Sequence, residues 1–165
     1  MISNCITKES NRGLCLMCHD ECGLLENIRV MNCLFDTRIR AGNWWGNGEP
    51  VFIMALRHDM HLPFPQKPHR VTDCAIRGVH LDGITCYGEN AMGIVGKDGN
   101  IREISLRNIR YTRKSSVNLP LKGLRFDTAP SDVTVAVPED CGLLATGAEA
   151  MEMQNVDTGR WRMIQ

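Results

Sequence analysis

The sequence has 165 residues, enough for one domain with a hydrophobic core, and this length does not call for a second domain. Lys plus Arg and Asp plus Glu are equal at 19 each, so the net charge gives no field that would attract nucleic acid or an anionic membrane. No apolar run approaches the ~18 residues of a membrane span, and the opening residues do not read as a signal peptide. We therefore expect a soluble, cytoplasmic chain without nucleic-acid or membrane partners.

The cysteine content allows two interpretations. Eight cysteines form an even set, which in a small secreted protein would suggest a disulfide framework. However, Cys5, Cys33, Cys74 and Cys86 lie within or beside apolar strand patterns, where a free cysteine acts as a small buried hydrophobe. Because no signal peptide precedes them, we expect reduced thiols.

A short motif of alternating apolar residues around an asparagine or glycine recurs along the chain. It is faint at the start, clear in Leu25 to Asp36, Ile76 to Thr85 and Ile101 to Arg110, and faint again near the end. The intervals between its bend residues are 28, 51, 25 and 47 residues, for Asn4, Asn32, Gly83, Asn108 and Asn155. Two intervals are one period and two are close to twice a period. Such a recurrence predicts a solenoid, propeller or array.

The alternation within each motif has period 2, which indicates strands and not helix pairs. A second short strand follows two of the bends after about ten residues, at Gly13 to Met17 and Gly93 to Gly96, and similar strands at Pro50 to Met54 and Gly142 to Ala145 lie where the skipped coils should pass. This pattern predicts an all-β fold, a right-handed parallel β-helix (a pectate-lyase-like solenoid) of about five or six coils. Asn tolerates the left-handed backbone region, and stacked Asn side chains can form a hydrogen-bonded ladder. Asn32 and Asn108 are therefore interpreted as structural bends.

The coils are expected to occupy residues 1–156, with loop insertions at 38–50, 56–70 and 113–137 and a tail at 157–165. Prolines at positions 63, 65 and 68 exclude a regular strand or helix in the second insertion. Trp161 in the tail is expected to cover the open end of the stack. Long loops on a rigid scaffold are where binding residues concentrate.

The segment CLMCHDEC, residues 15–22, contains the haem c attachment pattern and resembles half a zinc site. Haem c attachment needs export, and strand alternation would place Leu14, Leu16 and Cys18 opposite Cys15 and Met17. We therefore predict a packed coil with no metal and no cofactor. A stoichiometric metal content in purified protein would overturn this preference.

The first insertion carries aromatic residues in a polar setting. Trp44 and Trp45 lie beside Asn47, Glu49 and the basic pair Arg38 and Arg40. Indole rings stack on sugar rings, while amides, carboxylates and guanidinium groups bind hydroxyls or a carboxylate, so the loop predicts a carbohydrate site. The alternative is that one Trp packs against the outside of the stack. His80 alternates with apolar neighbours and is expected to be an exposed strand residue.

Several runs of this sequence resemble the C-terminal half of glycoside hydrolase family 28, the polygalacturonases and rhamnogalacturonases. They are LLENIRVMNCLFD, RIRAGNWWGNGEP, ENAMGIVGKDGNIREISLRNIRYT and FDTAPSDVTVAVPED. The resemblance implies a right-handed parallel β-helix and hydrolysis of pectic polysaccharide. Asn11-Arg12-Gly13 takes the place of the family's Gly-His-Gly. Arg38-Ile39-Arg40 is similar to the family's Arg-x-Lys, which binds the uronate carboxylate. Together, these two matches imply that Arg12, Arg38 and Arg40 hold carboxylates.

The family's Asn-Thr-Asp and Asp-Asp motifs, which supply the acid and the base, are not in this chain and would precede Met1. The chain is therefore expected to be a truncated, inactive part or to use other carboxylates, with Asp20 and Glu21 as the candidate pair. The alternative function is a non-catalytic carbohydrate-binding or assembly module. An uncapped first coil would pair with a second copy, giving a homodimer through Ile2 to Leu16. The family is often secreted, in contrast to the cytoplasmic expectation.

Overall fold

A computed structural model of the chain describes residues 1–18, 23–42, 45–56, 74–118, 123–129, 131 and 133–164. Within these residues the protein is all-β and no helix is present, so the predicted fold class is confirmed at this level. The strands are β1 (Ile2–Ser3), β2 (Ile6–Ser10), β3 (Arg12–Cys18), β4 (Leu24–Thr37), β5 (Glu49–Ala55), β6 (Ala75–Gly88), β7 (Met92–Val95), β8 (Ile101–Arg113), β9 (Cys141–Thr146), β10 (Ala148–Asp157) and β11 (Arg160–Ile164).

The strands form two sheets, and every strand pair within them is parallel. The first sheet has the order β1-β4-β6-β8-β10, with β2 also beside β4, and the second has the order β11-β9-β7-β5-β3. Beyond β2, the chain alternates between the two sheets on each pass. Equivalent positions of the repeat are aligned, because Ile28 pairs with Val79, Val79 with Ile104, and Ile104 with Met151. This arrangement is compatible with the expected β-helix.

The bend residues predicted from the sequence have the left-handed backbone. The φ angles are 56°, 52°, 51° and 53° at Asn4, Asn32, Asn108 and Asn155, and 67° at Gly83. The amide Nδ2 of Asn155 donates to Oδ1 of Asn108 at 2.8 Å, and Nδ2 of Asn108 donates to Oδ1 of Asp82 at 2.8 Å. The ladder is therefore confirmed, with an aspartate as one of its members.

A second line of left-handed residues precedes the first by five positions on each long strand. Its members are Asn27, Gly78, Glu103 and Ala150, with φ angles of 58°, 61°, 59° and 52°. The sequence pattern did not reveal this line, because Glu and Ala have no preference for this region. Each long strand of the first sheet therefore bends twice, and the segment between the two bends forms a separate face.

The core lies between the two sheets and extends beyond the second one. Val51 and Ile53 of β5 pack in the main cluster with residues of the first sheet, including Ile76 and Ile84. The alternate residues of the second sheet are also buried: Phe52 packs against Phe126 with ring centroids 5.4 Å apart. The segment around Phe126 therefore covers the second sheet, whereas the first sheet keeps an exposed outer face.

The tail and the cysteines can be compared with their local expectations. Within the tail, Arg160–Ile164 forms β11 and pairs with β9, so Trp161 lies on the last strand of the second sheet, and its role as a cover stays a prediction. Cys33, Cys74 and Cys86 are buried as predicted, and burial raises the pKa of Cys86 to about 12. The prediction for Cys5 was wrong: it is exposed, because it lies between β1 and β2 at the edge of the first sheet. Residues 57–70 of the second insertion lie outside the described residues.

Candidate functional site

Arg12 and Glu49 form a buried ion pair at the beginning of two adjacent strands. They are register partners at the start of β3 and β5, and Nε of Arg12 lies 3.3 Å from Oε2 of Glu49. The Glu49 side chain is fully buried, and only 10% of the Arg12 side chain is exposed. Arg12 also donates from Nη2 to the carbonyl of Asp127 at 2.8 Å and lies 4.6 Å from the ring centroid of Phe52. Arg12 thereby joins the second sheet to the segment that covers it.

Backbone amides saturate the carboxylate of Glu49. The N–H of Asp127 donates to Oε1 at 2.9 Å, and the N–H of Asn47 donates to Oε2 at 2.7 Å. Burial raises the pKa of Glu49, while Arg12 and these two amides oppose that rise. Burial alone would lower the pKa of Arg12, but the charges of Glu49, Cys15 and Asp127 hold it above its ordinary value. The geometry therefore makes Glu49 and Arg12 a structural cross-link that depends on both partners.

Asn47 belongs to the same internal network. Its Nδ2 donates to the carbonyls of Gly123 and Arg125, at 3.2 and 2.8 Å. Asn90 donates to the carbonyl of Asn47 at 3.1 Å, and Asn47 is buried. The structure thus brings Arg12, Asn47 and Glu49 together and engages all three with the chain itself, while their predicted sugar contacts stay a prediction.

Arg38 and Arg40 are presented to solvent from a rigid segment. Ile39 between them is fully buried, its N–H donates to Oε2 of the buried Glu89 at 2.7 Å, and its carbonyl accepts from Nδ2 of Asn118 at 2.8 Å. Both arginines contact Glu9: Nη1 of Arg38 lies 3.3 Å from Oε2, and Nη2 of Arg40 donates to the backbone carbonyl at 2.6 Å. The two guanidinium groups are therefore held at one rim.

Trp45 has most of its surface in solvent and is linked to the same N-terminal segment as the two arginines. The residue is 72% exposed, and its backbone carbonyl accepts a hydrogen bond from Nδ2 of Asn11. The next residue, Gly46, donates its N–H to Oδ2 of Asp127. Because residues 9–11 contact both the arginines and this loop, we define Arg38, Arg40 and Trp45 as the basic rim.

Trp44, Asp20 and Glu21 lie outside the described residues, so the predicted sugar contact of Trp44 and the predicted acid/base pair stay predictions. The sequence reasoning missed the groups that support the rim from a distance: Glu9, Glu89, Asn118 and Asp127. Local sequence carries no signal for them, since each acts on a residue 29 or more positions away. His80 is exposed, as predicted.

No family model, curated protein or solved structure matches this chain. The resemblance to glycoside hydrolase family 28 therefore depends on the sequence motifs alone. Among the residues that the structure describes, no group of three or more His, Cys, Asp or Glu side chains could hold a metal ion. The described part of the chain also contains no helix long and apolar enough to cross a membrane.

Proposed function

We propose that this chain is a right-handed parallel β-helix similar to glycoside hydrolase family 28, and that its basic rim binds a uronate-containing pectic glycan. One observation carries the proposal: residues 9–11 contact both the arginine segment and the loop with the exposed Trp45, and the backbone between the two arginines is held by Glu89 and Asn118. A guanidinium group binds a carboxylate through two parallel hydrogen bonds, and an indole offers its face to a sugar ring. A polymer of acidic sugars combines these two chemistries.

Pre-formed geometry supports binding at this rim. Arg38 is half-buried and pairs with Glu9 through one nitrogen, which leaves other N–H groups of the guanidinium for a ligand. Ile39 is held from both sides, so little conformational entropy of the backbone is lost when a ligand binds. We therefore place ligand binding first, and hydrolysis by a complete family 28-like enzyme second.

Hydrolysis needs two carboxyl groups that flank the glycosidic bond. Glu49 is enclosed by its own donors, and Asp127 accepts from Gly46 and lies 3.8 Å from Nη2 of Arg12. Both carboxylates are thereby used within the protein. The proposed acid and base for hydrolysis remain Asp20 and Glu21.

The test is calorimetric titration with a galacturonate oligomer and with its fully methyl-esterified form, which keeps the sugars and removes the charge. We expect binding of the acid form only, and about tenfold weaker binding for Arg40→Gln, the loss of a charge-assisted hydrogen bond. Trp45→Ala should also weaken binding, because the stacking surface is removed. Arg162→Gln is the matched control, since Arg162 is exposed in β11.

Equal binding of the esterified and acid forms, or unchanged affinity in both rim variants, would contradict the proposal. The same samples should be assayed for new reducing ends. Release of reducing ends would move hydrolysis to first place.

A specific observation also favours assembly between copies. In the part of the chain that the structure describes, β1, β2 and β3 are edge strands, and Ile6 of β2 is 75% exposed. An unpaired edge with an exposed β-branched residue is a template for strand pairing. We therefore keep the homodimer through residues 2–16 as the proposed partner arrangement, beside the carbohydrate ligand.

A further inference from the structure

The outer face of the first sheet contains a polar groove that is separate from the basic rim. It has a volume of about 300 Å³ and lies between the two lines of bends on β4, β6 and β8. Its lining includes the exposed residues Arg29, Met31, His80 and Arg107, the half-buried Asp82 and the buried Ser105. We call it the sheet groove.

The strand register places these residues on a grid. Arg29, His80 and Ser105 form one row across the three strands, and Met31, Asp82 and Arg107 form the next. Strands are about 4.8 Å apart and alternate residues about 7 Å apart, so the Cα atoms of Arg29 and Arg107 are roughly 12 Å apart at opposite corners. Arg29 and Arg107 therefore lie at opposite corners of the grid, on either side of His80 and Asp82.

The cationic corners are open to a ligand. The side chain of Arg29 makes no hydrogen bond or ion pair with any residue that the structure describes, and the residue is exposed. Arg107 is 53% exposed, and its carboxylate neighbour, Glu152, lies at 4.0 Å, the outer limit of an ion pair. A surface pair of this kind contributes little stability, so a ligand carboxylate can replace it at small cost.

Asp82 decides what kind of anion fits. Its Oδ1 accepts from Nδ2 of Asn108 at 2.8 Å, and its other oxygen has no donor among the described residues. A simple inorganic anion would be repelled by this carboxylate, whereas a hydroxyl group would donate to it. His80 and Ser105 can also bond hydroxyls beside it.

We propose that the sheet groove binds an acidic sugar, with carboxylates at Arg29 and Arg107 and hydroxyl groups at Asp82, His80 and Ser105. The roughly 12 Å between the Cα atoms of Arg29 and Arg107 leaves room for a short oligomer with an acidic group near each end. The ligand can be a free oligosaccharide or part of a longer glycan. This site does not depend on the basic rim, since Arg29 precedes the bend at Asn32 and Arg38 follows the end of β4.

The test is an amide-detected NMR titration of the full chain with digalacturonate, a disaccharide with two carboxylates. We expect saturable shifts of the amides around the groove on β4, β6 and β8. Arg29→Gln and Arg107→Gln should each weaken binding at the groove about tenfold, and the double variant should abolish it. The matched control is Arg110→Gln, an exposed arginine of β8 that does not line the groove.

Two further arms separate the ligand sources and the two sites. The neutral disaccharide and sodium sulfate should each bind at least about tenfold more weakly than digalacturonate, since each lacks one of the required chemistries. Arg38→Gln and Arg40→Gln should leave the groove shifts unchanged. A longer galacturonate oligomer that shifts the same amides with equal or higher affinity shows that a glycan is also accepted.

Several results would overturn the proposal. For the ligand, they are unsaturable shifts in wild-type protein, sulfate binding as tight as digalacturonate binding, and rejection of the longer oligomer. For the variants, they are equal affinity in Arg29→Gln, Arg107→Gln and Arg110→Gln, and loss of the groove shifts in Arg38→Gln or Arg40→Gln. Failure of the basic rim alone leaves the groove shifts in place, so the two failures can be told apart. We expect the groove variants to fold, because Arg29, Arg107 and Arg110 are exposed on the sheet. Dispersed spectra of the variants check that the fold is retained.

Discussion

Replacement of Arg12 by methionine is the sharpest test of the buried cross-link. Methionine keeps the length and apolar contacts of the side chain beside Phe52 but removes the guanidinium group that lies 3.3 Å from Glu49 and donates to Asp127. The Glu49 carboxylate, with no exposed surface, then keeps only its two backbone donors. Removal of one partner of a buried pair costs about 3–5 kcal/mol. We expect a loss of that size in the free energy of unfolding near pH 7.

The pH dependence of this loss has a definite sign. Burial raises the pKa of Glu49, and Arg12 opposes that rise. Without Arg12, the folded-state pKa of Glu49 lies further above its unfolded value, so the folded state binds more protons between the two values. Stability then falls as pH rises through the folded-state pKa. The penalty of Arg12→Met should therefore be largest near neutral pH and shrink on acidification.

Urea denaturation of wild type and variant at about pH 7 and about pH 5 measures both quantities. Arg162→Met is the control, because Arg162 is half exposed and lies 3.6 Å from Asp140, so its loss should cost less than about 1 kcal/mol. The double variant Arg12→Met with Glu49→Gln should recover part of the loss, since no uncompensated charge stays buried. An Arg12→Met penalty below about 1 kcal/mol, or one that grows at low pH, would refute the reasoning.

Three further predictions concern the scaffold. Asn108→Ala removes two ladder hydrogen bonds at a φ of 51° and should lower the free energy of unfolding by about 1–2 kcal/mol. Asn108→Gly should cost less, because glycine adopts this positive φ without strain. Equal costs of the two variants in urea denaturation would contradict a backbone contribution. Gly142→Ala places a Cβ 1.9 Å from the carbonyl oxygen of Thr158, so hydrogen exchange should show β11 losing protection; unchanged protection would exclude this clash. Ile6→Lys adds a charge to an edge strand and should lower the mass measured by light scattering to that of a monomer; a wild-type monomer would reject the homodimer.

Part of the candidate site was accessible from local sequence. The resemblance of Arg38-Ile39-Arg40 to Arg-x-Lys predicted that both arginines can reach a ligand, and the structure leaves Arg38 partly exposed and Arg40 exposed while Ile39 is fully buried. The polar setting of Trp45 likewise predicted exposure, and the residue is 72% exposed. Both properties depend on neighbours in the chain, which is why local patterns reveal them.

The burial of Glu49 could not be read in the same way. Alternation along β5 distinguishes two faces of the strand but does not show whether the second face is covered. The residues around Phe126 and Asp127 provide that cover, and the hydrogen bond from Arg12 to Asp127 joins positions 115 residues apart. A carboxylate expected to face sugar hydroxyls therefore serves as the centre of an internal network.

The sequence by itself determined the repeat, the strands and the bends at Asn32, Gly83, Asn108 and Asn155, because backbone preferences and alternation are local properties. Only the tertiary structure decided which charged groups meet. It placed Arg29 and Arg107 in one groove and enclosed Glu49 beside Arg12, since these contacts depend on the register between strands far apart in the chain and on the loop that covers the second sheet.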